Sequence, residues 1–393
     1  MPKRPARTPL GLPIIRTSER RDFLQCWWKW YHAWRMGLKP LGQEATPLLF
    51  GTWVHIALAE YYLPGLKRGP HPAETFERVA EAELMFIRTE ARSRGISAPG
   101  GTEFLIEEKL VPAKELGLIM LDGYVKHWGD DRRWNVIEPE RSGQVDIPDP
   151  RDPDKIIAIY AFTYDLVYRD EEDGFVKLGE HKTAKSLVLD HLPLDPQAGS
   201  YWAVAEPHLR KEGLMGPKER LHGIEYNFLI KRLPDERPKT REGYATNLPK
   251  KEHYIAALAD HSIYEVIHRE KTVPAEKATM ETLANVANNL NLTVLGEISA
   301  NQPKPLFHRE FVDRTIGERQ SQIKRIQDEA LIMDLLRRKE IPLTKSTDRF
   351  CSWCNFNALC TLDEQNRDTT DLREALFRQQ DPYAAHRKST EEE

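Results

Sequence analysis

AIYAFTYDLVY at residues 158–168 and GFVKLGEHKTAKS at residues 174–186 decide the fold. Apolar residues alternate along both segments in the manner of strands, and the short polar link between them predicts a hairpin. Asp165 lies near the end of the first strand, and Glu180-His181-Lys182 follows in the second. A hairpin brings the two acids side by side. Side chains two apart on a strand point the same way, so Glu180 and Lys182 share a face. Two carboxylates beside an ammonium suit Mg²⁺ or Mn²⁺, which take oxygen ligands. Such an ion polarises a phosphate and lowers the pKa of its bound water, and a lysine orients that water or steadies the developing charge. An E-x-K triplet alone is weak evidence, because acid-x-basic triplets are common on exposed strands. The upstream Asp165 gives it weight.

Working outward, Trp134 to Glu140 and His222 to Arg232 also read as strands, the latter with Ile224, Tyr226, Phe228 and Ile230 on one face. A helix is expected from Pro196 to Arg210. The whole is an α/β arrangement, a mixed sheet with an embedded helix. Upstream, Phe23, Trp27, Trp30, Tyr31 and Trp34 recur at helical spacing behind Ser18, a plausible N-cap. Further helices are expected after Gly51 and from Pro72 to Arg94. Downstream, residues 252–300 and 313–340 read as helices, and the polar end after Asp363 is expected to be poorly ordered beyond one short helix. The serial division is an N-terminal arm and helix (1–50), a helical region (51–130), a catalytic core (131–235), a helical C-terminal region (236–362) and an acidic, flexible tail (363–393).

Two further motifs flank the hairpin. GTWVH at 51–55 places an imidazole, His55, on a helix upstream, and QAGSY at 197–201 places Gln197 and Tyr201 on one helical face downstream. In order and spacing, GxxxH, the strand Asp165, Glu180-x-Lys182-Thr183 and QxxxY resemble the RecB-like branch of the PD-(D/E)XK nucleases. The chain looks especially similar to phage and CRISPR-associated iron-sulfur exonucleases. The resemblance implies a restriction-endonuclease-like core, with His55, Asp165, Glu180 and the backbone carbonyl of His181 holding the metal. It implies that Lys182 acts on the attacking water and that Gln197 and Tyr201 position DNA. Tyr164 replaces the proline of the family's Pro-Asp pair, and Glu180 opens its triplet where some members have Asp. Neither change removes a ligand.

The chain has four cysteines, Cys26 and then Cys351, Cys354 and Cys360 in FCSWCNFNALC. A cytosolic chain has little use for disulfides, so C-x2-C-x5-C reads as a ligand set. Zinc and an iron-sulfur cluster both accept four thiolates, and the count does not separate them. One cysteine before the nuclease motifs and three after them resembles the iron-sulfur staple of the same branch, which implies a [4Fe-4S] cluster tying the two ends together. Trp27 and Asn355 stand where that branch often has proline after a cysteine, and these positions are not ligands. Trp27, Trp28, Trp30 and Trp353 are expected to shield the cluster.

Composition is that of a soluble protein, and no apolar run nears the ~20 residues that span a bilayer. The N-terminus lacks the pattern of a secretory signal, so a cytoplasmic protein without a membrane partner is expected. The net charge of −4 lies in the tail, where nine acidic residues face five basic ones from Asp363 onward. Between Pro207 and Lys251, eleven Lys/Arg face six Asp/Glu, and Lys231 and Arg232 there are candidate DNA contacts. No G-x-x-x-x-G-K-[ST] occurs, so any helicase or recombination partner is a separate protein. The leading expectation is a DNA exonuclease serving recombination or repair in a phage or bacterium. The alternatives are a non-catalytic DNA-binding subunit and a zinc-stapled, structure-specific endonuclease.

Overall fold

The computed structural model describes residues 12–40, 46–94 and 101–383. The described chain forms two compact units, one running to Arg232 and resuming at Phe307, the other Leu233–Leu306.

In the larger unit, β1 (Ile14–Arg16) leads into α1 (Thr17–Gln25). Then come α2 (Thr46–Tyr61), α3 (Pro72–Arg94) and α4 (Val111–Trp128). The sheet strands β2 (Trp134–Asp149), β3 (Asp152–Asp170) and β4 (Val176–Ala184) follow. After them come α5 (Pro196–Lys211), β5 (Leu221–Ile230), β6 (Phe307–Asp313) and α6 (Ile316–Arg338). The result is a mixed six-stranded sheet flanked by helices, as in restriction-endonuclease-like folds. β3 is antiparallel to β2 and β4, β5 runs parallel to β4, and β6 closes against β5. β1 adds to β3 in parallel. β5 is buried along nearly its whole length because helices cover both faces, which explains its almost unbroken apolar run.

Helix α1 begins at Thr17 with Arg16 as its cap residue, and the Arg16 N–H donates to Glu19 Oε2 at 3.3 Å. The cap is therefore Arg16, two residues before the expected Ser18, and the backbone N–H is satisfied by an acid three residues on. Arg20 ties α1 to both α5 and α6, donating to Glu329 at 2.5 Å and to Ser200 Oγ at 2.6 Å inside the core. Removing either charge strands its buried partner, at a cost of about 3–5 kcal/mol. α2 is braced by rings: Phe50 and Trp53 pack edge-on to Phe76 of α3. Gly117 of α4 lies so close to Phe76 that a Cβ there would overlap the ring.

The structure corrects the expectation of continuous helix over 252–300. That stretch holds helices Lys251–Asp260 and Met280–Asn289 around a hairpin of Glu265–His268 and Lys271–Pro274. Arg269 and Glu270 turn the hairpin with positive φ (49° and 63°), the geometry of a two-residue turn that usually signals itself by Asn or Gly. The stretch after Asp363 is also more structured than expected. Helix Thr370–Leu376 is followed by a strand, Phe377–Gln379, that pairs with Leu38–Pro40. Residues 384–393 of the expected flexible tail lie outside the described residues. No helix among the described residues is long and apolar enough to cross a membrane.

Candidate active site

The β3–β4 ladder runs from Arg169–Val176 to Leu166–Gly179. At the next position the Asp165 carboxylate takes over, as Oδ2 accepts the His181 backbone N–H at 2.7 Å. The other oxygen, Oδ1, lies 3.0 Å from His55 Nδ1, so α2 delivers its imidazole onto the hairpin. On β4, Lys182 Nζ donates to Glu180 Oε1 at 2.8 Å, as alternation requires. Lys182 also reaches Gln197 Oε1 at 3.4 Å and Asp195 Oδ2 at 3.9 Å, and Gln197 Nε2 donates to the Tyr201 hydroxyl at 3.4 Å. Asp195 caps α5 by accepting the Gln197 N–H. His55, Asp165, Glu180, Lys182, Gln197 and Tyr201 thus come together from three separate segments.

Their electrostatics are uneven. Burial opposes ionisation of Asp165, but the His55 imidazolium and the His181 N–H outweigh it and hold the carboxyl at about 2. Burial drives Glu180 up to about 7, with Lys182 pulling it down and Asp165 adding to the rise. Burial disfavours the charge on His55, yet Asp165 and Glu180 raise it to about 9. Lys182 is likewise held charged, Glu180 and Asp195 overcoming its burial. Each carboxylate is thus balanced by a cation of the protein. Among the described residues no three His, Cys, Asp or Glu side chains are already gathered tightly enough to grip an ion. The donor set fits one nonetheless: two buried carboxylates whose mutual repulsion a divalent cation relieves, with an imidazole beside them.

The His181 side chain packs behind this face, its ring edge-on to His55. Burial drops it to about 3, its ring stacks on Tyr62, and its Nδ1 accepts from Asn227 Nδ2 at 2.9 Å. Asn227 also donates to Tyr124, which meets Tyr62 and, through it, Asp131 and Arg309. This buried network fixes the peptide whose N–H holds Asp165. Lys231 and Arg232 lie beyond the end of β5, away from the carboxylates. Lys231 N–H donates to Ala184 O at 2.7 Å, and its Nζ sits over the Phe50 ring. Burial and neighbouring Lys185 lower its pKa.

Sequence reasoning missed three residues. Glu140 falls opposite Asp165, between the register pairs Pro139–Leu166 and Arg141–Tyr164. Burial and Asp165 raise its pKa. Only cross-strand register reveals it. Asp195 would have been found as an N-cap before Pro196. Asn227 was visible as a polar interruption of an apolar strand.

The four cysteines, all free, line one pocket of about 340 Å³ on the same unit. Cys26 follows α1, Cys351 and Cys354 bracket a short turn, and Cys360 lies in helix Asn357–Glu364. The Asp348 N–H points to Cys351 Sγ at 3.5 Å, and the Phe356 N–H bonds Cys354. Lys29 and Lys345 also line the pocket. Burial and the neighbouring thiols push Cys360 up to about 11. Four sulfurs with N–H donors and ammonium groups around them fit an anionic thiolate cluster. Trp30 is buried, whereas Trp353 lines the cysteine pocket and is 85% exposed.

A mixed sheet carrying an acid on one strand and E-x-K on the next, with a histidine packed over them from a helix, defines a nuclease of the restriction-endonuclease-like class. The model of the PD-(D/E)XK nuclease superfamily matches residues 17–361, and the chain belongs to that superfamily. No curated protein matches it.

Proposed function

We propose that this protein is a Mg²⁺- or Mn²⁺-dependent DNA exonuclease of the RecB-like branch, similar to phage and CRISPR-associated iron-sulfur exonucleases. The observation that carries this reading is the convergence of His55 on Asp165 and of Lys182 on Glu180. Asp165, Glu180, His55 and the His181 carbonyl would hold the ion, which supplies Lewis-acid polarisation of the scissile phosphate and a more acidic bound water. Lys182 orients the attacking water and offsets negative charge as water adds to phosphorus, a P–O bond breaks and the departing oxygen takes a proton. Gln197 fixes the lysine, and with Tyr201 it positions the strand. Cys26, Cys351, Cys354 and Cys360 would hold a [4Fe-4S] cluster, and Lys231 and Arg232 give duplex phosphates a basic rim. The activity belongs to DNA processing in recombination or repair, with a separate helicase or recombination protein as its partner.

The test is end-labelled linear and closed circular DNA incubated with Mg²⁺, Mn²⁺ or EDTA, alongside iron and zinc analysis of anaerobically purified protein. Linear DNA should be degraded only with metal, and Lys182→Ala should lose about 10²–10³-fold in turnover while retaining DNA binding. Full activity in EDTA overturns the metal mechanism. Rapid cutting of closed circles favours an endonuclease, and stoichiometric zinc without iron replaces the cluster.

A further inference from the structure

A second cavity, of about 330 Å³, opens between α1 and the start of α5. Gln197 and Tyr201 form part of its wall, and Gln197 touches the catalytic lysine, so the cavity borders the site of cleavage. Arg16 and Arg21, at the start of and within α1, also line it. Arg21 is exposed and has no ion-pair or hydrogen-bond partner among the described residues. Arg16 is half-buried and spends one bond on the Pro382 carbonyl at 3.1 Å, leaving donors of its five-donor fork free. Arg20, in contrast, is committed to Glu329 and Ser200. Leu24 and Phe162 supply an apolar wall. The acid on the wall, Asp195, is engaged by the Gln197 N–H at 2.9 Å and lies near Lys182.

This is a cationic, partly apolar recess at the small end of the range for ligand sites, roughly 300–1,000 Å³. Its volume is on the order of that of one nucleotide. Resting on the nuclease reading above, we propose that the recess receives the terminal nucleotide of the strand being cut, with Arg16 and Arg21 gripping its terminal phosphomonoester. A terminal phosphomonoester carries more charge than an internal diester and offers three free oxygens, which suits a pair of guanidinium forks. The base lies against Leu24 and Phe162, and the first phosphodiester then falls beside Gln197 and Lys182. The protein on this account selects strand ends by their phosphate.

The experiment uses the full chain and short, internally labelled oligonucleotides with 5′-phosphate, 5′-hydroxyl, 3′-phosphate or 3′-hydroxyl ends. Binding is read by fluorescence anisotropy in Ca²⁺ and cleavage in Mn²⁺. One phosphorylated end should bind about tenfold more tightly than its hydroxyl counterpart, the worth of one charge-assisted bond or a little less, and the responding arm identifies the end. Arg21→Gln should bring that ratio near one, Arg21→Lys should keep part of it, and Arg16→Gln should act in the same direction. A ratio near one in the wild type overturns the proposal. So does an equal loss on phosphorylated and hydroxyl ends in Arg21→Gln, which would make the arginine a general backbone contact. A wild type that cuts DNA without preferring phosphorylated ends sinks the pocket alone. One that cuts no DNA sinks the nuclease reading, and the anisotropy ratio then judges the pocket by itself.

Discussion

The acidic centre takes Asp165, Glu180 and Lys182 from one hairpin, whereas the cysteine pocket takes Cys26 and Cys351 from positions 325 residues apart. In the first, ladder register and a single backbone N–H set the geometry, and the side chains already balance one another. In the second, the thiols meet only because helix α1 and the segment around Cys360 reach the same place, and burial pushes the Cys360 thiol up. A local site costs little chain entropy and tolerates damage elsewhere. A site assembled from the two ends of the chain depends on the whole unit, and the proposed cluster would stabilise that unit by cross-linking it.

The largest test of this contrast is Cys26→Ala. A cross-link closing so long a loop is worth on the order of 5 kcal/mol, so the variant should lose that much in denaturant unfolding, together with broad visible absorbance. The acidic centre should still bind Mn²⁺ by calorimetry at low temperature. Unchanged stability would remove the asymmetry. A smaller effect probes the far end of the same hairpin. There Arg133 and Lys177, each 2.7 Å away, outweigh burial and hold Asp170 at about 2, below the usual carboxylate range. A carboxyl depressed in the folded state adds stability above its unfolded pKa of about 4 and loses it as pH falls toward 2. Asp170→Asn should therefore flatten the stability–pH curve in that window by on the order of 2 kcal/mol. An unaltered curve would show that the pair contributes nothing. The smallest effect is expected from Asn227→Ala, which unseats His181 without touching a carboxylate. Turnover should fall about tenfold with iron content unchanged, the usual loss when a supporting hydrogen bond behind a metal ligand is removed. Wild-type turnover would make the buried network a packing feature only.

Much of the acidic centre was legible because its signals are short-range. Two-residue alternation puts Lys182 beside Glu180, and four-residue spacing puts Tyr201 beside Gln197. What escaped depends on pairings that one strand cannot announce. Glu140 acquires a role only through its register with Asp165, and β6 went unread in the gap between two expected helices because its few residues alternate weakly. The hairpin at Glu265–Pro274 lacks the Asn-Gly signature, since Arg269 and Glu270 adopt the strained turn without glycine.

The pairing of Leu38–Pro40 with Phe377–Gln379 bears on how the molecule is made. At about 5–20 residues per second, the ribosome delivers the second strand roughly 15–70 s after the first. Through that interval Leu38–Pro40 lacks its partner strand, and for all but the last part of it Cys26 lacks its three companions. The four thiols are then brought together only late in biogenesis, in chains translated nearly to the end, and the proposed cluster would be loaded after that point.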